Sequence, residues 1–175
     1  MKIFSRLPLY LGLGVLVLAV LVSTKKISDQ RSLSNAPKAS QNGAVLTIKD
    51  DGDGKVSVLL TSDKEVAGID AVIKFDNSKV KILPSTLDGG ISFITSGGVV
   101  DDAMGTFSFT AFAKNEENIK SAIVASFKVE SINEGSGETE LMFETGEEKT
   151  VVIDKTTGED ILTNQQGIKL NLIGK

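Results

Sequence analysis

The stretch "AGIDAVIKFD" (residues 67–76) alternates apolar and polar side chains, and similar stretches separated by turn residues fill the chain from position 44 onward. Ile69, Ala71, Ile73 and Phe75 fall on one side of it, and Gly68, Asp70, Val72 and Lys74 on the other. A period of two is a strand's period, and one apolar side per strand means one buried face. "AVLTI", "KVSVLLT", "VKIL", "ISFIT", "TFSFTAFA", "AIVASFKVE", "ETELMFE", "TVVID" and "GIKLNLI" are read as further strands. Pro84 is expected to end "VKIL", and the "SGG" of residues 96–98 to end "ISFIT". Ile123, Ala125, Phe127 and Val129 are expected to share an inward face, as are Ile168, Leu170 and Leu172. "NEENIKS" (115–121) has room for one helical turn. Nine or so short strands without helical crossovers bury their apolar faces by stacking two sheets, which makes the domain an all-β sandwich.

The first 43 residues have a different character. A basic start, "MKIFSR", precedes an apolar run over residues 7–22, then "STKK", the layout of an export signal. Cleavage favours small residues, whereas this run ends in Leu21 and Val22 ahead of Lys25 and Lys26, which favours an uncleaved membrane anchor over a removed signal peptide. The run is slightly short of the ~20 residues of a comfortable span. Residues 1–23 are therefore read as signal peptide or anchor, 24–43 as a flexible polar linker, and 44–175 as the folded domain. Six Lys/Arg against one Asp give residues 1–43 a charge of +5, leaving −9 of the total −4 for the rest. An acidic domain lacks the clustered cations that nucleic acid requires, so no nucleic-acid partner is expected.

The chain has no cysteine and no histidine, which removes Ser-His and Cys-His nucleophile pairs and ordinary zinc sites. Three acidic pairs, Asp101-Asp102, Glu116-Glu117 and Glu147-Glu148, could suggest glycosidase chemistry, but each is a pair of sequence neighbours in a turn-like context. They read as solvated loops, and no enzymatic activity is expected. "KDDGDGKV" (49–56) has the aspartate density of a calcium loop. Aligning Gly54 with the invariant glycine of an EF-type loop puts Lys49 at the first ligand position and Leu60 at the bidentate one, so the stretch reads as a turn. A surface calcium site of Asp50, Asp51 and Asp53 is the alternative; otherwise no metal or cofactor is expected.

Order and spacing carry a resemblance. "VAGIDAVIKFDNSKVKIL" (66–83), "GTFSFTAFAKNEENIKSAIVASFKVES" (105–131) and "TGEDILTNQQGIKLNLI" (157–173) resemble successive strands of cohesin domains. The first has an outward Asp and a closing Phe-Asp pair, and the second a strand ending in Phe-Ala followed by one ending in Phe-x-Val. Related carbohydrate-binding sandwiches share the core pattern. The resemblance implies a nine-stranded jelly roll outside the cell or on its surface, with one sheet face binding the dockerin of another protein. It would serve polysaccharide-degrading or other cell-surface assemblies.

The resemblance also implies which residues would bind. Gly68, Asp70, Val72 and Lys74 are the outward positions of the matched strand, and Asp70 falls on a contact carboxylate. Gly68 stands where an Asn is common, Ala111 matches a larger apolar contact, and Lys114 matches an acidic one. These departures would filter out familiar dockerins. The family register puts Phe112 inward and Phe107 and Phe109 outward with Ala111, whereas burial preference puts Phe107 and Phe109 in the core, the reading preferred here. The runner-up function is carbohydrate binding, with a polysaccharide as partner. Against it, there is no Trp, and the only Tyr, Tyr10, lies in the signal segment, so the domain lacks the usual stacking platform.

Overall fold

The computed structural model describes residues 43–114, 119–132, 137–146 and 149–172. The signal or anchor segment, most of the linker and most of the "NEENIKS" turn lie outside the described residues. Among the described residues there are eleven strands and no helix. They are β1 (Ala44–Gly52), β2 (Lys55–Ser62), β3 (Val66–Phe75), β4 (Val80–Gly89), β5 (Phe93–Asp101), β6 (Thr106–Ala113), β7 (Ser121–Ser131), β8 (Gly137–Phe143), β9 (Val151–Asp154), β10 (Leu162–Gln166) and β11 (Ile168–Leu172). One sheet has the order β10-β1-β2-β7-β4. The other has the order β11-β8-β3-β6-β5, with β9 also paired to β3. The expected jelly-roll sandwich is therefore present, with the chain passing repeatedly between its two sheets.

The alternation does what the period-two pattern requires. Val56, Val58 and Leu60 from the first sheet and Ile69, Ala71 and Ile73 from the second are all buried. Phe107 and Phe109 join them, so burial preference prevails over the family register. Their rings sit 5.7 Å apart, and Phe107 lies 4.9 Å from Phe127 across the sandwich at a tilt of 60°. Removing each such side chain from water stabilises the fold by roughly 1.5–3 kcal/mol, which outweighs any gain from placing them outside.

Where the strands depart from expectation, the cause is a local irregularity. Pro84 does not end β4: the ladder to β7 shifts between Leu83 and Asp88, so the missing N–H falls where no ladder bond is needed. The Thr86 hydroxyl fills the gap, donating to the Leu83 carbonyl (2.7 Å) and accepting the Lys128 N–H (2.8 Å). The "SGG" does not end β5 either; it forms a bulge between Ser96 and Val99, with Gly97 at φ +75°. In β7 a register shift opposite Val58 and Leu59 inserts Val124 into the inward set and turns Ile123 outward, 48 % exposed. Strand β10, absent from the sequence reading, pairs in parallel with β1.

The "DDGDG" stretch is a hairpin turn between β1 and β2, with Gly52, Asp53 and Gly54 all at positive φ. Two of its three carboxylates are used locally. Asp50 accepts the Gly52 N–H (2.8 Å), while Asp51 accepts the Ser57 hydroxyl and pairs with Lys49 at 3.4 Å. Among the described residues no group of acids is arranged to hold a metal ion. Of the acidic pairs, only Asp101-Asp102 is described; Asp101 caps its own turn by accepting the N–H groups of Ala103 and Met104.

Candidate functional site

Strand β3 lies in the middle of the second sheet, and its polar side chains point away from the core. Pairing fixes what lies beside them. Across β5, β6, β3 and β9, Ile94 aligns with Phe112, Gly68 and Ile153, and the next row aligns Ser96, Thr110, Asp70 and Val151. A third row holds Val99, Ser108 and Val72, and a fourth Asp101, Thr106, Lys74 and Met142, the last from β8. The face is thus apolar at one end and polar or charged towards the other.

The expected residues are placed as follows. Asp70 is exposed, and its carboxylate accepts the Thr110 hydroxyl at 2.7 Å. Lys74 is exposed and pairs with Glu144 at 3.3 Å. The Gly146 N–H, the Lys74 ammonium and the Thr145 N–H together hold the Glu144 carboxyl below the usual carboxylate range. Val72 is half-buried. Lys114, just past β6, is half-buried; its N–H donates to the Ser92 carbonyl (2.8 Å) and its ammonium to the Gly90 carbonyl (3.4 Å).

Ala111 is the exception. It is fully buried among the inward residues of β6, so it offers a partner no surface. Once Phe107 and Phe109 are inward, alternation leaves Thr110, Phe112 and Lys114 outward, and Phe112 is 54 % exposed. Phe112 and Thr110 are outward positions of β6 that the resemblance does not supply, and the alternation that puts Phe107 and Phe109 inward does. Gly68 faces outward but is covered: a Cβ built there would lie 3.7 Å from the Phe112 ring and 3.2 Å from the Ala111 carbonyl oxygen. A cross-strand aromatic resting on a glycine is a known way to compensate for the missing side chain.

Two structural devices hold this face. The β4–β5 crossing needs Gly90, because a Cβ there would lie 1.7 Å from the Ile123 carbonyl oxygen. On the other flank β8 stops at Phe143 and β9 starts at Val151, leaving Val72 without a strand partner on that side. The buried Thr150 hydroxyl takes that place, accepting the Val72 N–H (3.0 Å) and donating to the Val72 carbonyl (3.1 Å). Beyond Lys74 the surface opens into a cleft of about 380 Å³, lined by Asp76, Glu138, Glu140, Met142 and Lys169 among others.

Comparison with solved structures places the fold. The chain is similar to a chain of a type II cohesin–X-dockerin complex from Acetivibrio cellulolyticus, with TM-score 0.58 and 15 % identity, covering 75 % of this chain and 99 % of that one. It is similar to type II cohesin A11 from Bacteroides cellulosolvens, with TM-score 0.57, 14 % identity and coverage of 75 % and 99 %. A non-cellulosomal cohesin from the archaeon Archaeoglobus fulgidus matches with TM-score 0.56, 9 % identity and coverage of 75 % and 92 %. No protein-family profile matches the chain, and no curated protein matches it in sequence. The domain therefore has the cohesin fold.

Proposed function

We propose that this chain is a cohesin-like interaction module, not an enzyme, that binds a dockerin-bearing partner through the outward face of β5, β6, β3 and β9. The observation that carries the reading is the face itself. On a sheet of cohesin fold, Phe112, Ile94 and Val99 stand more than half exposed beside the exposed Asp70 and Lys74. Exposed apolar side chains interleaved with and edged by polar groups are the composition of a protein-binding patch. Dockerin complexes among the similar solved structures support the choice of partner. The basic and apolar start of the chain supports export and a membrane tether, so that the partner would be held at the cell surface.

Pull-down with the full chain as bait should recover dockerin-bearing proteins, and Asp70→Ala should weaken capture with little change in melting temperature. Asp70 makes one exposed hydrogen bond, so a large loss of stability would mean its role is structural. Failure to capture any dockerin, including those encoded by the same organism, would remove the reading.

Carbohydrate binding is the second reading, and the cleft beside Lys74, with its mixed carboxylates and ammonium groups, is the observation in its favour. Saturable binding on a glycan array that survives Phe112→Ser but not Glu140→Gln would establish it.

A further inference from the structure

Resting on the dockerin reading, we infer that this face selects its partner through an apolar anchor at Phe112, flanked by a cation on one side and a carboxylate on the other. The shelf is formed by Ile94, Phe112 and Ile153, with Gly68 beside the edge of the Phe112 ring. An Asn or larger residue at position 68 would occupy the space beside that ring. The missing side chain at Gly68 and the outward turn of Phe112 thus belong to one apolar feature.

Charge sets the flanks. Lys114 stands one row beyond Phe112, and its ammonium touches only the Gly90 carbonyl oxygen, with no carboxylate in ion-pair range among the described residues. Asp70 stands one row on the opposite side and accepts only the Thr110 hydroxyl, with no cation in ion-pair range among the described residues. Lys74, by contrast, is already matched by Glu144. Lys114 and Asp70, neither of them in an ion pair among the described residues, therefore bracket the shelf. A complementary partner presents an acid to Lys114, a bulky apolar side chain to Phe112 and a hydroxyl or other donor to Asp70.

Geometry gives the spacing. Successive outward rows on a strand are about 6.8 Å apart. A helix rises about 1.5 Å per residue, so a partner helix lying along β6 would carry the three groups about four residues apart, at positions near i, i+4 and i+8.

The test uses the full chain against a displayed library of dockerin modules with randomised helix surfaces. Enriched binders should carry an acid, then Leu, Ile, Met or Phe, then Ser or Thr at that spacing. Phe112→Ser should weaken the selected binders at least about tenfold with an unchanged melting temperature. Ile94→Ser should weaken them in the same direction, which covers the case in which Phe112→Ser misfolds. Lys114→Glu should invert the preference at the first position from acid to base. Binders with polar residues opposite Phe112, or affinity within about twofold in both serine variants, would overturn the anchor while leaving dockerin binding intact. A library that yields no binder at all would overturn both.

Discussion

Thr150 offers a sharp test of how the candidate face is held. Its hydroxyl, in a residue 1 % exposed, replaces a strand partner for Val72 where β8 gives way to β9. Thr150→Val keeps the shape and both methyl-sized branches but removes both hydrogen bonds. The Val72 carbonyl keeps a partner, because the Glu144 N–H also reaches it at 2.8 Å. Among the described residues the Val72 N–H keeps none. Losing one net hydrogen bond and stranding one part-buried donor should cost about 2 kcal/mol. For a domain of this size that is a fall in melting temperature of about 7 °C. Thermal or urea unfolding measures it, and hydrogen exchange should show the Val72 amide losing protection. Thr150→Ser separates hydroxyl from packing: it keeps both bonds and loses a methyl, about 1 kcal/mol. A Thr150→Val protein within about 0.3 kcal/mol of the parent, or a Ser variant as damaged as the Val variant, would refute the clasp.

Gly90→Ala should be severely destabilising, by about 3 kcal/mol or more in chemical unfolding, because its Cβ meets the backbone oxygen of Ile123 and backbone cannot rotate away. A soluble variant with parental stability would show that the β4–β5 crossing shifts freely. Asp154 should contribute to acid unfolding. The N–H groups of Thr157 and Thr156, aided by Lys64, outweigh its partial burial and hold its carboxyl below the usual range. A folded-state value below the unfolded one stabilises the domain above about pH 4, and that stability is lost as pH falls through the depressed value. Asp154→Asn should therefore flatten the dependence of stability on pH below about 4, and an unaltered slope would count against this cap.

Much of the fold was legible because its signal is local. "AGIDAVIKFD" specifies a strand and its buried side by itself, since apolar residues two apart share a face whatever lies opposite. Asp70 and Lys74 fall outward on that ground alone, and the glycines of "DDGDG" signal a turn because they accept positive φ. Irregular positions were not legible. Ile123 looks like a core residue in "AIVASFKVE", yet one inserted residue in β7 turns it to solvent. Pro84 and the "SGG" of β5 look like strand ends, yet an edge strand and a bulge tolerate them.

The site followed the same division. That β6 carries two sets of alternate residues is written in "TFSFTAFA". Which set is buried was decided by Phe127 arriving from the opposite sheet to pack on Phe107, which put Ala111 inside and left Phe112 out over Gly68. The parallel pairing of β1 with β10, and the Thr150 hydroxyl standing in for a strand 78 residues away from Val72, were likewise tertiary decisions. Alternation is a property of neighbours in the chain. Pairing, bulges and the choice of buried face depend on partners distant in sequence, whose contacts form only when the two sheets close on each other.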